Sequence, residues 1–134
     1  MFAVEAKQDI VIMGLNVVYK RTDASEVLVY SRSGSYDGVP LRTDGWNLVY
    51  QGSPQGQAGS EARLDDFVDG VRVAAGDVAS FYVYSRRGQL CSEGDEEGRA
   101  YGEDNAVIVH EGLVTKGDPC RKVGWSVEVC VCAV

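Results

Sequence analysis

Apolar residues in this chain come in short runs, and within most runs they alternate with polar ones, the two-residue period of a strand with one buried face. In "WSVEVCV", Val127, Val129 and Val131 share one side, opposite Ser126, Glu128 and Cys130. In "SFYVYS", Phe81 and Val83 oppose Tyr82 and Tyr84. The pattern predicts strands near Phe2–Ala6, Ile10–Val17, Glu26–Ser31, Trp46–Gln51, Val71–Ala74, Ala79–Ser85, Ala106–Glu111 and Trp125–Val131. Turn-forming segments separate them: "KRTDAS", "SGSYDGVP", "SPQGQAGS", "AAGD", "EGDEEG" and "TKGDP". "DIVIMGLNVV" is apolar on both faces, as expected of a central strand with the core on one side and a loop on the other. Only "RLDDFVDGV" carries helical spacing, through Leu64, Phe67, Val68 and Val71. Gly70 interrupts it and the stretch is short, so a single turn, or a loop pinned by Phe67, is expected there. About eight short strands with little or no helix predict one all-β domain over residues 1–134. Its architecture is an antiparallel β-sandwich of jelly-roll or Greek-key type.

One hexapeptide is written twice, as "VYSRSG" at Val29–Gly34 and as "VYSRRG" at Val83–Gly88. Each copy reads as a strand running into a glycine turn. Val29 and Val83 are expected to point inward and Tyr30 and Tyr84 to the other face, with Arg32 and Arg86 near the turns. The copies are too far apart in sequence for one hairpin but suit adjacent or facing strands.

At 134 residues the chain can bury a core without metal or disulfide support. No stretch approaches the ~20 apolar residues of a membrane-spanning helix, so no membrane insertion is expected. The start, "MFAVEAKQDI", lacks the basic and apolar regions of a signal peptide, and Met1 is expected to begin a mature or excised domain. The net charge is −7, which repels phosphate backbones and anionic lipids and excludes nucleic acid as an expected partner. Cys91, Cys120, Cys130 and Cys132 are even in number, as in an oxidising compartment, with three full pairings open. Cys130 and Cys132 stand two apart in one strand and are not expected to bond each other. Free thiols would point instead to an intracellular scaffold.

The residues that carry chemistry are few. His110 is the single histidine, so any Ser–His or Cys–His device must use it; no G-x-S-x-G elbow is present, and a strand-end position suits a solvated side chain. The chain is therefore not expected to be an enzyme. No cofactor motif appears, but "EGDEEGRAYGED" concentrates Asp95, Glu96, Glu97, Glu103 and Asp104, an oxygen-rich set that suits calcium although its spacing matches no EF-hand. Ligand recognition by a sandwich needs aromatic platforms and a few polar groups at loop ends. The candidates are Arg32, Tyr36, Arg86 and Tyr101, which converge if the two hexapeptide turns share one rim. Trp46 and Trp125 begin strands and are expected in the core. Self-association through exposed edges, notably Ile10–Val17 and the terminal "VCVCAV", is the alternative for an all-β domain of this size.

The pattern "MFAVEAKQDIVIMGLNV … EVLVYSRSGSYDG … WNLV" resembles a module of large, mostly uncharacterised surface and secreted proteins of diatoms, other microalgae and some bacteria. "AAGDVASFYV", "VHEGLVTKG" and "RKVGWSVEV" are similar to later strands of that module, so the resemblance spans nearly the whole chain. It implies an all-β extracellular module, often in multi-domain chains, with no catalytic residue, and a Met1 that need not be an initiator. The expected function is a binding or adhesion module of an extracellular or cell-surface protein that recognises a glycan or a protein partner through loops at one end of the sandwich. Two segments depart from the pattern, the acidic insert "RRGQLCSEGDEEGRAYGEDN" and the tail "CVCAV".

Overall fold

The predicted alternation builds two antiparallel sheets face to face. The computed structural model describes residues 1–18, 26–38, 45–55, 60–85, 100–110, 112, 114–116, 118–121 and 127–133. Twelve strands lie among them: β1 (Phe2–Ala6), β2 (Ile10–Val18), β3 (Val27–Ser33), β4 (Asn47–Gly52), β5 (Glu61–Leu64), β6 (Val71–Val73), β7 (Val78–Ser85), β8 (Ala100–Glu103), β9 (Val107–His110), β10 (Val114–Lys116), β11 (Asp118–Arg121) and β12 (Val127–Ala133). One sheet has six strands in the order β4-β3-β7-β1-β9-β8. The other sets β2 between β12 on one side and β5 and β6 on the other, and β10 and β11 form a two-stranded ribbon. Every predicted strand is present. The four additional ones, β5, β8, β10 and β11, are each four residues or fewer. The described residues contain no helix.

The main core lies between the sheets. The larger sheet contributes Phe2, Val4, Val29, Val49, Phe81 and Val83, and the smaller Ile10, Ile12, Leu15, Val17 and Leu64. Phe2 and Phe81, opposite each other on β1 and β7, stack with ring centroids 5.4 Å apart. Burying a side chain of this size contributes about 1.5–3 kcal/mol, so an alternating strand pair contributes several such increments per face.

The two-sided apolarity of β2 has a local cause. Its buried inward residues are Ile10 and Ile12, then Leu15 and Val17, so the alternation slips by one at Met13–Gly14. The pairing with β12 shifts at the same place, Cys130 facing Gly14 and Val131 facing Ile12. This is a β-bulge, one extra residue on β2. On its other side, β5 pairs with Leu15–Val18 and β6 with Ile10–Ile12. The two short strands are thus one edge strand, interrupted by residues 65–70. The interruption leaves the sheet plane: Phe67 N donates to Met13 O (3.1 Å), and Val68 N donates across to Val49 O of the opposite sheet (3.0 Å). Asp66 (φ 63°), Asp69 (φ 60°) and Gly70 (φ 63°) take the left-handed backbone needed for that excursion. Phe67 drops back into the core, 3% exposed.

Two connections cross between the sheets side by side. Residues 7–9 lead from β1 to β2, and residues 74–77 lead from β6 to β7. They are joined by Gly76 N to Ala6 O (2.8 Å), Ala6 N to Asp77 O (3.0 Å) and Ala75 N to Asp9 Oδ1 (2.9 Å). In "AAGD" the Asp77 N–H donates to Ala74 O and Gly76 sits at φ 83°, the value a type II turn requires of its third residue.

Candidate ligand-binding cleft and aromatic face

The repeated hexapeptide resolves into a register. Val29 pairs directly with Val83, Tyr30 with Tyr82 and Leu28 with Tyr84. The copies are adjacent, as expected, but they run antiparallel from a shared valine pair. Arg32 lies opposite Ser80, whereas Ser85, the last described residue of the second copy, lies opposite Val27 at the far end of β3. Arg32 and Ser85 therefore lie toward opposite ends of β3, and Arg86 itself lies outside the described residues. Tyr101 sits on β8, four strand spacings from β3 and so about 19 Å across the sheet. It is 40% exposed but does not meet Arg32. Tyr36 is not on an exposed turn tip. It is 6% exposed and packs with Met1, Ala3 and Trp46 in a second apolar cluster on the outer face of the six-stranded sheet. Ser35 and Asp37 brace that turn, the Ser35 hydroxyl donating to the Asp37 carboxylate (2.7 Å) and accepting from Asp37 N (3.1 Å). Of the three predicted contacts among the described residues, Arg32 borders a concave site.

That site is a cleft of about 550 Å³ where the ends of β3, β4 and β7 meet the interrupted edge strand. Its lining includes the aliphatic side chains of Val49, Val73 and Ala79, all on inward-facing positions, together with Ser31, a hydroxyl-bearing residue in place of the valines at Val27 and Val29. Arg32, Asn47, Asp69, Arg72 and Asp77 supply charges of both signs and an amide. Leu48 and Val68, 47% and 68% exposed, give the rim apolar surface open to solvent. The interruption at 65–70 creates the cleft, since it carries Val68, Asp69 and Gly70 toward β4. Sequence reasoning missed Asn47, Asp69 and Asp77 because two of them sit in turn-like segments and nothing local marks them as converging. A single "DG" after a buried phenylalanine was the available signal.

The outer face of the same sheet is aromatic. Tyr30 and Tyr82 stack at 6.0 Å, Tyr82 and Tyr84 tilt at 6.5 Å, and Trp46 meets Tyr82 edge-on at 6.1 Å. Trp46 is buried, as expected, but in this outer cluster and not between the sheets. The Arg32 guanidinium lies 5.8 Å from the Trp46 ring centroid, a cation–π contact that fixes the head of a long side chain at the cleft border. Trp125 lies outside the described residues.

The predicted acidic site divides. Asp95, Glu96 and Glu97 lie outside the described residues. Glu103 pairs with Lys7 at 3.5 Å. Asp104 Oδ1 accepts from Ala106 N (2.7 Å) and Val107 N (2.8 Å), closing the turn between β8 and β9. Those two N–H groups, with a smaller contribution from Lys7, hold the Asp104 carboxyl below its ordinary range. Among the described residues no three metal-ligating side chains come together. His110 Nε2 lies 3.2 Å from Glu5 Oε2, a diagonal pair across β9 and β1. Cys91 lies outside the described residues; Cys120 falls on β11, and Cys130 and Cys132 stand two positions apart on β12.

Comparison of the chain with protein-family models, with curated proteins and with solved structures finds no match. The resemblance to surface and secreted modules therefore rests on its motifs alone.

Proposed function

We propose that this domain is a non-catalytic binding module of an extracellular or cell-surface protein, recognising a glycan through the cleft at one end of the sandwich. The observation that carries the reading is the lining of that cleft. Donors on Arg32 and Asn47 and acceptors on Asp69 and Asp77 border aliphatic surface in a volume of about 550 Å³. Ligand sites of roughly 300–1,000 Å³ with an apolar floor and a few polar groups are the usual form. A polyol, in which each hydroxyl both donates and accepts, matches a mixed set better than a purely anionic or cationic ligand does. His110 supports a non-catalytic role by its place: it is not among the residues that line the cleft, and it is on β9, two strand spacings or about 10 Å from β7, the nearest cleft strand. A glycan array read with and without EDTA tests the reading and its calcium dependence together. Binding that Asn47→Ala weakens at least fivefold is the expected result, and silence across the array would overturn it.

One observation favours a second reading, a structural subunit that self-associates through its edges. Among the described residues β8 is an outer strand of the six-stranded sheet, and all four of its residues are exposed, the kind of edge that another strand can extend. A monomer in size-exclusion chromatography at every protein and salt concentration would exclude it.

A further inference from the structure

The cleft and the aromatic face are contiguous. Arg32, Leu48 and Val78 border the cleft, and the same three belong to the outward positions of β3, β4 and β7, where Tyr30, Tyr82 and Tyr84 follow. From Arg32 the outward positions of β3 run Arg32, Tyr30, Leu28, a span of about 13 Å. Their partners on β7 are Ser80, Tyr82 and Tyr84. The row ends in a polar pair, Gln51 Nε2 donating to Glu26 Oε1 at 2.7 Å. Tyr84 and Leu48 are each at least two-fifths exposed, and Tyr30 and Tyr82 are half-buried.

We infer that the cleft and this row form one continuous track, and that the ligand is an extended neutral oligosaccharide with its end in the cleft and the following units on the tyrosines. The inference rests on the glycan reading of the cleft and adds the class and length of the ligand. Three features favour this occupant. The track joins the cleft at Leu48, which is 47% exposed, lines the cleft and pairs with Tyr30. Its rings carry hydroxyls, so it offers apolar faces to sugar C–H surfaces and hydrogen bonds to their edges. A net charge of −7 disfavours acidic polysaccharides over neutral ones.

The test is calorimetric titration of the full chain with neutral gluco- and manno-oligosaccharides, from the monosaccharide to the hexasaccharide, against wild type, Tyr84→Ala, Tyr84→Phe and Asn47→Ala. Affinity is expected to rise with length over the first few units. Tyr84→Ala should remove roughly three- to tenfold of that gain while leaving the monosaccharide constant unchanged. Tyr84→Phe should keep most of the gain, and Asn47→Ala should weaken every length by the same factor. Affinity independent of length and of Tyr84, with Asn47→Ala still harmful, would overturn the track and leave the cleft reading standing. No binding at any length would remove the reading itself. A dimer that Tyr84→Ala dissociates would show the face to be a contact between copies and would also overturn the track.

Discussion

Phe67 is the residue on which the cleft wall depends. It is the single side chain of the 65–70 interruption that joins the main core, lying 6.4 Å from Tyr50 and 6.3 Å from Phe81 between ring centroids. Phe67→Ala removes the ring from a site 3% exposed. Losses of about 3–5 kcal/mol are usual for Phe→Ala in a core. The edge position lets the loop relax, which places the expected cost near 3 kcal/mol. A chain of this length has roughly 7–20 kcal/mol of stability in total, so the variant should stay folded. With a urea slope of about 1.5–2 kcal/mol/M, the unfolding midpoint should fall by roughly 1.5–2 M at unchanged slope. Tryptophan fluorescence follows the transition through Trp46. Phe67→Leu, which retains most of the buried area, should lose less than half as much. The cleft should suffer out of proportion, because Val68, Asp69 and Gly70 are tethered through this anchor. A midpoint shift below about 0.3 M for Phe67→Ala would refute the claim that the ring holds the interruption in place.

Other outcomes follow from single contacts. Gly14→Ala should cost about 1–3 kcal/mol, read as a lower melting temperature, because its β-carbon would stand 2.5 Å from the backbone oxygen of Leu64. Asp66→Gly should stabilise by about 0.5 kcal/mol, since it relieves a left-handed aspartate at the cost of a more flexible unfolded chain. Asp104→Ala should lose about 0.5–1 kcal/mol at neutral pH, the value for two exposed, partly screened hydrogen bonds. Because the folded carboxyl titrates below its ordinary value, that stability is fully present above about pH 4 and lost as pH falls through the folded value. Urea midpoints of wild type and variant should therefore converge in acid, and a gap equal at pH 3 and pH 7 would contradict the cause. Intact mass without reductant should be lower than that of the reduced chain by the hydrogens each disulfide removes, if the domain belongs to an oxidising compartment.

Strand identity was legible because alternation reports burial on one face: β3 follows it from Val27 to Arg32, and β1 and β7 depart from it at Ala3 and Ser80, which are buried on the outer face. Register was not legible, since nothing in two like hexapeptides says whether they run together or apart. Antiparallel pairing of Val29 with Val83 set Arg32 and Ser85 toward opposite ends of β3. The helical spacing of Leu64 and Phe67 was a coincidence of another kind: β5 ends inward at Leu64, and the loop re-enters the core three residues later. Met13–Gly14 hid in the same way, because a bulge converts alternation into what reads as apolarity on both faces. Tyr36 looked exposed by its turn composition, but the apolar cluster around Trp46 gave its ring more than solvent did. The cleft could not be read at all, since its polar groups come from four segments that meet only once both sheets have closed.

Within this domain β1 is synthesised before either strand that it pairs with in the larger sheet. Phe2 waits for Phe81, and Val4 for Val109, so β1 emerges long before either neighbour exists. Assembly is therefore delayed until most of the polypeptide has been made, and its rate should belong to the slow, millisecond-to-second regime of chains dominated by distant pairings. Until then the segment "FAVEA" lacks both of its sheet partners.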